Sequence, residues 1–242
     1  MGAPVNFYSD PVASQPINFY SRPPSVDVNY RLYLGMNTDF TDATGRHTPV
    51  SIVDTMSITT LNWVFNGGSG SFGNGCLSLP SHADWALASY TSWTINFYVW
   101  FNTLALATVP VYFFSRSLNE NPTTAYYLDS TFRGGGLYDF EFTDNGAASG
   151  IVSGDISLST GVWYQWTLTK GSANDFIMYL NGASIATKTF TMSGGGSPDP
   201  LFIGAVTFVG QSRNSNIFID EFSISDIVRI PGGQPVNFYS LP

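Results

Sequence analysis

Apolar and polar residues alternate along much of this chain with the two-residue period of β-strands. In the segment 93–101, one face carries Trp93, Ile95, Phe97, Val99 and Phe101. Tyr98 and Trp100 lie on the opposite face, so both faces are apolar and the segment is predicted to be a central strand. The segments 163–169 and 217–224 show comparable strand patterns.

Turn signals separate these runs at the short intervals typical of an all-β domain. The run 176–180 leads through Asn181-Gly182 into a second run at 184–190, and Asn-Gly between two such runs is a strong hairpin signal. Glycine-rich breaks punctuate the rest of the chain at 66–68, 134–136 and 194–196. No amphipathic helix longer than about two turns is visible. The pattern therefore predicts a two-sheet sandwich.

Composition supports a folded β-domain and excludes several other classes. The chain has 242 residues, of which 43% are apolar, 16% aromatic and 11% charged. This length suits one all-β domain or two small ones and is enough to bury a large core. The low charge excludes a wholly disordered chain, and the composition argues against helix bundles and coiled coils.

The charge balance excludes two classes of partner. The net charge is −8, with nine Lys and Arg residues against 17 Asp and Glu residues. No basic stripe is present to neutralise phosphates or anionic lipids, so we expect neither nucleic acid nor membrane as a partner. The N-terminus lacks the features of a secretory signal, and the apolar run 104–114 is too short to span a bilayer. We therefore expect a soluble protein made in a cytoplasm.

One hexapeptide, Pro-(Val/Ile)-Asn-Phe-Tyr-Ser, occurs three times, at residues 4–9, 16–21 and 235–240. In every copy a further proline follows two residues after the serine. The positions of the copies divide the chain into three parts. These are an N-terminal arm at 1–27 with two copies, a central domain at 28–231, and a C-terminal arm at 232–242 with the third copy.

The repeats are predicted to be extended docking peptides. Prolines at the borders disfavour helix and fix an extended entry. An edge strand of a sandwich would account for one or two copies but not for three. Strand addition or pocket docking on a partner uses such peptides, with specificity from the aromatic side chains. The predicted partner-binding residues are Val5, Asn6, Phe7, Tyr8, Ile17, Asn18, Phe19, Tyr20, Val236, Asn237, Phe238 and Tyr239.

The central domain resembles laminin-G-like, concanavalin A-like domains over residues 28–231. The motifs that carry the resemblance, in order, are Leu32-Tyr-Leu34, Phe40-Thr-Asp-Ala-Thr-Gly45, Gly75-Cys-Leu-Ser-Leu79, Trp93-Thr-Ile-Asn-Phe97, Gly161-Val-Trp-Tyr164, Tyr179-Leu-Asn-Gly182, Leu201-Phe-Ile-Gly204 and Ile219–Asp226 with Arg229. The resemblance implies a jelly-roll sandwich of two antiparallel sheets with its first and last strands side by side. Relatives include carbohydrate- and protein-binding modules, phage virion proteins and some glycosidases, so fold alone does not assign the function.

These features together predict a non-enzymatic structural protein on the exterior of a virus particle, most simply a phage. Its three repeated hexapeptides would dock on equivalent sites of a repeating capsid shell, around a local threefold axis for example. Tethering raises the effective concentration of each further contact. The alternative is a carbohydrate-binding module that recognises host-surface glycans, and the two functions are compatible. A glycosidase is the third hypothesis.

The sequence offers few groups for hydrolysis. Glycoside hydrolysis needs two carboxylates beside the scissile bond, and the chain has only three glutamates, Glu120, Glu141 and Glu221. Asp139 and Glu141 alternate on one strand face, which we interpret as a solvated polar face. Asp220-Glu221 matches the closing motif of the resembling domains and is assigned a structural role, with Asp220 on the same face as Phe218 and Phe222.

Other candidate chemistry is equally sparse, and no cofactor is predicted. His47 and His82 lie in turns outside any nucleophile motif, and Cys76 is expected to be a small core residue. Structural calcium is an alternative for which Asp39, Asp42 and Asp220 are the candidate ligands. An exposed tryptophan platform would suit sugar binding, but core packing is the expectation for each of Trp63, Trp85, Trp93, Trp100, Trp163 and Trp166.

Overall fold

The computed structural model describes residues 26–47, 51–53, 55–65, 67–73, 75–104, 111–116, 126–134, 136–144, 149–193, 199–204, 207–208, 211–212 and 216–231. Two antiparallel sheets dominate this part of the chain. Sheet I contains β1 (Tyr30–Leu34), β3 (Met56–Thr59), β4 (Ser69–Phe72), β6 (Trp93–Phe101), β12 (Trp163–Lys170), β13 (Asp175–Leu180), β14 (Ala183–Thr189) and β18 (Ile217–Ser225). Sheet II contains β2 (Ser51–Val53), β5 (Cys76–Leu79), β7 (Val111–Arg116), β8 (Tyr126–Gly134), β9 (Leu137–Asp144), β10 (Ser149–Val152), β11 (Ile156–Ser157) and β15 (Leu201–Ile203).

The strand order confirms the predicted all-β jelly-roll sandwich. Sheet I runs β14-β13-β12-β6-β18-β4-β3, and sheet II runs β10-β9-β8-β7-β15-β5-β2 with β11 beside β9. A separate pair is formed by β16 (Thr207–Phe208) and β17 (Gln211–Ser212). The first described strand, β1, pairs with the last, β18, as the resemblance implies. The two ends of the described chain therefore lie together at one place in sheet I.

Strand β6 has the central position that its pattern predicts, between β12 and β18. Its alternating residues from Trp93 to Phe101 are buried in the core between the sheets. Phe97 lies at the centre of an aromatic cluster there. Its ring centre is 5.2–6.3 Å from those of Phe113, Phe114, Trp166 and Phe222. This cluster joins the two sheets.

The predicted hairpin at Asn181-Gly182 is confirmed between β13 and β14. Both turn residues have positive φ, 50° at Asn181 and 79° at Gly182, as a type I′ turn requires. The described helices are two short 3-10 turns, Ala83–Trp85 and Leu87–Ser89. None of the described helices has the length and apolar character needed to cross a bilayer.

A β-bulge in β18 makes one prediction wrong. Simple alternation places Phe218, Asp220 and Phe222 on one face, but the register with β6 shifts between Asp220 and Ser223. Glu221 has a φ of 54° at this point. The extra residue returns Phe222 to the core and leaves Asp220 and Ser223 directed to the outer face of sheet I.

Candidate functional site

A pocket of about 210 Å³ opens on the outer face of sheet I, across β1, β6, β12 and β18. Its floor is polar, because the residues between the core positions of these strands project outward there. The floor residues are Thr94, Asn96, Gln165, Thr167, Ser223 and Ser225. The pocket thus offers several hydroxyl and amide groups on a rigid sheet rather than on loops.

Asn96 is the hub of this polar floor. Its Oδ1 accepts a hydrogen bond from Gln165 Nε2 at 3.0 Å and another from Thr167 Oγ1 at 2.8 Å. In this arrangement the oxygen of the amide serves both partners, which leaves Nδ2 as a donor for a ligand. Asn96 on β6 and its two partners on β12 therefore present a fixed donor–acceptor pattern to a ligand.

Aromatic rings line the sides of the pocket. Tyr30 and Tyr33 of β1 meet edge to face, with ring centres 5.5 Å apart. On another side Phe65 meets Tyr98 edge to face at 5.3 Å. Such rings offer flat apolar faces and, at the tyrosines, polar tips.

The end of the described chain completes the rim. Arg229, Ile230 and Pro231 line the pocket, and the Arg229 guanidinium lies 4.2 Å from the centre of the Tyr30 ring. The same guanidinium donates from Nη2 to both carboxylate oxygens of Asp27 at 2.8 Å. This hydrogen bond lowers the pKa of Asp27 below its ordinary value. Residues near the start and the end of the described chain are thereby joined beside the pocket.

Glu221 is the carboxyl group of the pocket. It lies at the bulge of β18, its exposed fraction is 3%, and it accepts a hydrogen bond from the Tyr33 hydroxyl through Oε2. Its other oxygen, Oε1, is buried without a hydrogen-bond partner. Burial raises the pKa of Glu221 to about 7, although the Tyr33 hydrogen bond opposes the rise. The group therefore changes charge near neutral pH.

The neighbouring Asp220 has a structural role, as the sequence predicts. It is fully buried, and its Oδ2 accepts hydrogen bonds from the backbone amides of Val64 at 2.9 Å and Phe65 at 3.2 Å. Burial and the adjacent Glu221 raise the pKa of Asp220 well above its ordinary value. These two hydrogen bonds hold Val64 and Phe65 in place. There they pack against Trp100 and Trp163 in a small second core on this face.

Glu221→Gln is expected to change how stability depends on pH. The pKa of Glu221 is raised from 4.5 to about 7, so the folded protein holds this proton at pH values where the unfolded chain has lost it. The stabilisation that this bound proton gives the folded protein is complete below about pH 4.5 and is lost as the pH rises through 7. The amide cannot ionise, so from pH 5 to pH 8 the variant should lose less stability than the wild type, by up to roughly 3 kcal/mol.

Urea unfolding of both proteins at pH 5 and pH 8 measures this difference. Asp220 remains in both proteins, and because the charge of Glu221 contributes to the raised pKa of Asp220, its removal also lowers that pKa and adds to the difference in the same direction. The exposed Asp155 provides a control, because Asp155→Asn should leave the pH dependence unchanged. If the free energy of unfolding depended on pH equally in the wild type and in Glu221→Gln, the raised pKa of Glu221 would be contradicted.

Apart from Val26 and Asp27, the two arms lie outside the described residues. This applies to all three hexapeptides and so to every residue predicted to contact a partner. Those residues are Val5, Asn6, Phe7, Tyr8, Ile17, Asn18, Phe19, Tyr20, Val236, Asn237, Phe238 and Tyr239. Their docking role stays a prediction.

Five of the six tryptophans follow the core expectation. Trp85, Trp93, Trp100, Trp163 and Trp166 are buried, and Trp63 is half-buried. The aromatic faces available at the pocket are therefore those of tyrosines and Phe65, not of a tryptophan platform. Cys76 is also buried, as predicted.

The predicted solvated face on β9 is wrong for Asp139. Glu141 is half-buried, but the exposed fraction of Asp139 is only 3%. The structure also places Asp129 of β8 directly opposite Glu141, a pairing that the sequence did not indicate. These carboxylates belong to sheet II and are not part of the pocket lining.

The three candidate calcium ligands do not come together among the described residues. Each carboxylate is instead bonded to backbone amides. Asp39 accepts from Thr41, Asp220 accepts from Val64 and Phe65, and Asp42 accepts from Tyr33, Thr44 and His47. The arrangement gives no support to a calcium site at these residues.

Sequence reasoning missed the pocket itself. The floor residues Asn96, Gln165 and Thr167 occupy outward positions in strands that are otherwise strongly aromatic. Polar residues at the outward positions of such apolar strands were the signal from which a polar pocket floor could have been predicted. Their pairing across β6 and β12 could not be read from either strand alone.

The comparisons with known proteins agree with this fold. The family profile described as the concanavalin A-like lectin/glucanases superfamily, of laminin G type, matches residues 71–231. No curated protein matches the chain. Among solved structures, domain 4 of AbnA, a GH43 extracellular arabinanase from Geobacillus stearothermophilus, was determined in complex with arabinotriose. It has 16% sequence identity and a TM-score of 0.59, over 81% of this chain and 92% of that domain.

Two toxin binding domains have similar folds. The binding domain of Paraclostridial mosquitocidal protein 1 is 16% identical with a TM-score of 0.59, over 83% of this chain and 49% of that one. The binding domain of botulinum neurotoxin DC, solved in complex with SialylT, is 18% identical with a TM-score of 0.58, over 84% and 49%. The chain thus spans about half the length of these toxin domains. Fold and profile together place this chain in the laminin G type family of the concanavalin A-like lectin/glucanases superfamily.

Proposed function

We propose that this protein is a non-enzymatic carbohydrate-binding module whose pocket on sheet I holds one or two saccharide rings. The observation that carries the proposal is the combination of a polar floor centred on Asn96 with aromatic sides. A saccharide has apolar C–H faces that pack on aromatic rings and hydroxyl groups that both donate and accept hydrogen bonds. The pocket supplies partners for each of these features.

The size of the pocket fits a small ligand. Sites for drug-sized molecules occupy about 300–1,000 Å³, and this pocket has about 210 Å³. One or two sugar rings suit that volume, with the rest of a longer glycan extending over the rim. Oε1 of Glu221 is buried without a partner, so it can bind one sugar hydroxyl. It accepts a hydrogen bond when the carboxyl group is ionised and can donate one when the group is protonated.

The arrangement of carboxyl groups favours binding over hydrolysis. Glycosidases place two carboxylates on opposite sides of the scissile bond, whereas the pocket lining contains one, Glu221. The adjacent Asp220 is bonded to the amides of Val64 and Phe65 and is not part of the lining. Two of the structural relatives were solved with arabinotriose and SialylT, which agrees with a binding role for this fold.

A glycan array probed with the full chain tests the proposal. We expect a restricted set of glycans to bind, and free glycan in solution to compete with the immobilised one. Calorimetry with the best binder then gives the affinity and stoichiometry. Absence of binding across arrays of host and bacterial glycans would overturn the proposal.

The repeated hexapeptide favours a second, compatible function as a docking protein of a virus-particle exterior. Three equivalent peptides in one chain match three equivalent sites on a repeating protein shell. Asp27 and Arg229, near the points where the arms join the domain, are held together by an ion pair. Both arms therefore start from one region, beside the pocket, and can engage neighbouring sites.

Deletion of single hexapeptides tests the docking function. Because tethered contacts reinforce one another, removing residues 1–10 or 232–242 should weaken attachment to the particle about 100-fold or more. The midpoint of thermal unfolding should change little. Co-sedimentation with purified particles measures attachment, and a scrambled hexapeptide of the same composition is the control. Attachment equal to that of the full chain would contradict the docking function.

A further inference from the structure

The two histidines of this chain lie side by side in the fold, although they are far apart in sequence. His47 follows the turn after β1, and His82 precedes the 3-10 turn Ala83–Trp85. Their ring centres are 4.6 Å apart. Asp84 lies beside both, with its Oδ2 3.0 Å from His47 Nε2 and 3.6 Å from His82 Nδ1.

The spacing of these three groups matches a zinc ion. Zinc binds imidazole nitrogen and carboxylate oxygen at about 2.0–2.2 Å in tetrahedral geometry, which places neighbouring ligand atoms about 3.3 Å apart. The two measured distances from Asp84 Oδ2 lie on either side of that value. All three ligand atoms lie within 4.8 Å of one another. Only small side-chain adjustments are needed to surround one ion.

Two of the three groups are already held in position. The backbone amide of His47 donates a hydrogen bond to Asp42 Oδ2 at 3.1 Å. The centre of the His47 ring lies 4.4 Å from that of the Trp85 ring. Asp84 Oδ1 accepts a hydrogen bond from the Tyr90 hydroxyl at 3.3 Å, which leaves Oδ2 directed at the histidines. Hydrogen bonds of this kind to ligating residues orient metal sites and raise their affinity.

His82 provides access from solvent. Its side chain is 48% exposed, whereas His47 and Asp84 are buried. Its Nδ1 now accepts a hydrogen bond from the Asp84 backbone amide at 3.1 Å, which caps the 3-10 turn. Metal binding at Nδ1 would exchange that neutral hydrogen bond for a coordinate bond. The Arg31 carbonyl oxygen, 2.9 Å from His47 Nε2, lies close to the same place.

We propose that His47, His82 and Asp84 form a zinc site that fastens the segment after β1 to the 3-10 turn Ala83–Trp85. Two imidazoles and one carboxylate favour zinc over calcium or magnesium, which take oxygen ligands. Three protein ligands leave a fourth position for water or a further oxygen ligand. The site is separate from the pocket, whose lining contains none of these three residues.

Calorimetric titration of the full chain with Zn²⁺ tests the site, using protein from which any histidine tag has been removed and metal has been stripped by chelator. We expect one equivalent of zinc to bind and the midpoint of thermal unfolding to rise. His82→Asn keeps a side chain that can cap the turn but removes the imidazole. It should weaken binding about 10-fold or more, as should Asp84→Asn.

The matched control is Asp155→Asn, which removes an exposed carboxylate elsewhere. It should leave the zinc affinity unchanged. Because the chain has only two histidines, ¹⁵N NMR of the imidazole rings should show both of them shifting together on zinc addition. The proposal is overturned if zinc does not bind, or if it binds equally well to His82→Asn and leaves the imidazole signals in place.

Discussion

Asn96→Ala is expected to lower the affinity of the protein for its glycan about 10- to 100-fold. Asn96 Oδ1 accepts hydrogen bonds from Gln165 and Thr167, so its removal leaves two donors of the pocket floor without their partner. The Nδ2 donor to the ligand is lost at the same time. A ligand hydroxyl that is buried without this donor costs about 1–3 kcal/mol of binding free energy, and about 1.4 kcal/mol corresponds to a tenfold change in affinity.

Calorimetry with the best-binding glycan measures this loss, and circular dichroism checks that the variant is folded. Asn102→Ala is the control, because Asn102 is an exposed asparagine just after β6 and does not line the pocket. It should bind glycan as the wild type does. An Asn96→Ala protein that is folded and binds with unchanged affinity would contradict the role of the pocket.

Phe97→Ala is expected to give the largest loss of stability of any substitution considered, about 3–5 kcal/mol. The Phe97 ring is fully buried in the centre of sheet I. It packs on Phe113 and Phe114 of sheet II and on Trp166 and Phe222 of its own sheet. Alanine would leave a cavity at the junction of the two sheets, and four large rings cannot close it without moving both backbones.

Urea unfolding at one pH measures the change in the free energy of unfolding. Val28→Ala is the control, because Val28 is 81% exposed and should change stability by no more than about 0.5 kcal/mol. A loss below about 1 kcal/mol for Phe97→Ala would mean that the aromatic cluster does not hold the sheets together.

The alternation of apolar residues was enough to predict the sandwich. Strand β6 is apolar on both faces because the main core lies on one side of it and the small second core covers part of its outer face. The hairpin at Asn181-Gly182 is equally local, since two residues with positive φ determine it. Strand alternation and hairpin turns depend on residues that are close in sequence, and so they can be predicted from the sequence.

The pocket depends instead on residues from four strands, and one of them lies at an irregularity. Glu221 enters the pocket because the β-bulge adds one residue to β18, which reverses the faces of the residues after it. Regular alternation cannot reveal a bulge. The meeting of Tyr33 with Glu221 also requires the pairing of β1 with β18, which the family resemblance implied but the residues alone did not.

The histidine pair was missed for a related reason. Each histidine lies in a turn, and nothing in either local sequence points to the other. The chain brings them together because the segment after β1 and the segment before the 3-10 turn Ala83–Trp85 both pack around Trp85. Contacts between loops arise from the packing of the whole domain rather than from a repeating pattern.

The most direct test of the central claim is a crystal structure of the full chain with its best-binding glycan. We predict a saccharide ring in the pocket on sheet I, packed on Tyr98 and hydrogen-bonded to Asn96 and Gln165. A glycan bound only elsewhere, for example across Asp129 and Glu141 of sheet II, would contradict the account. That result would also reopen the question of hydrolysis, because two carboxylates face each other there.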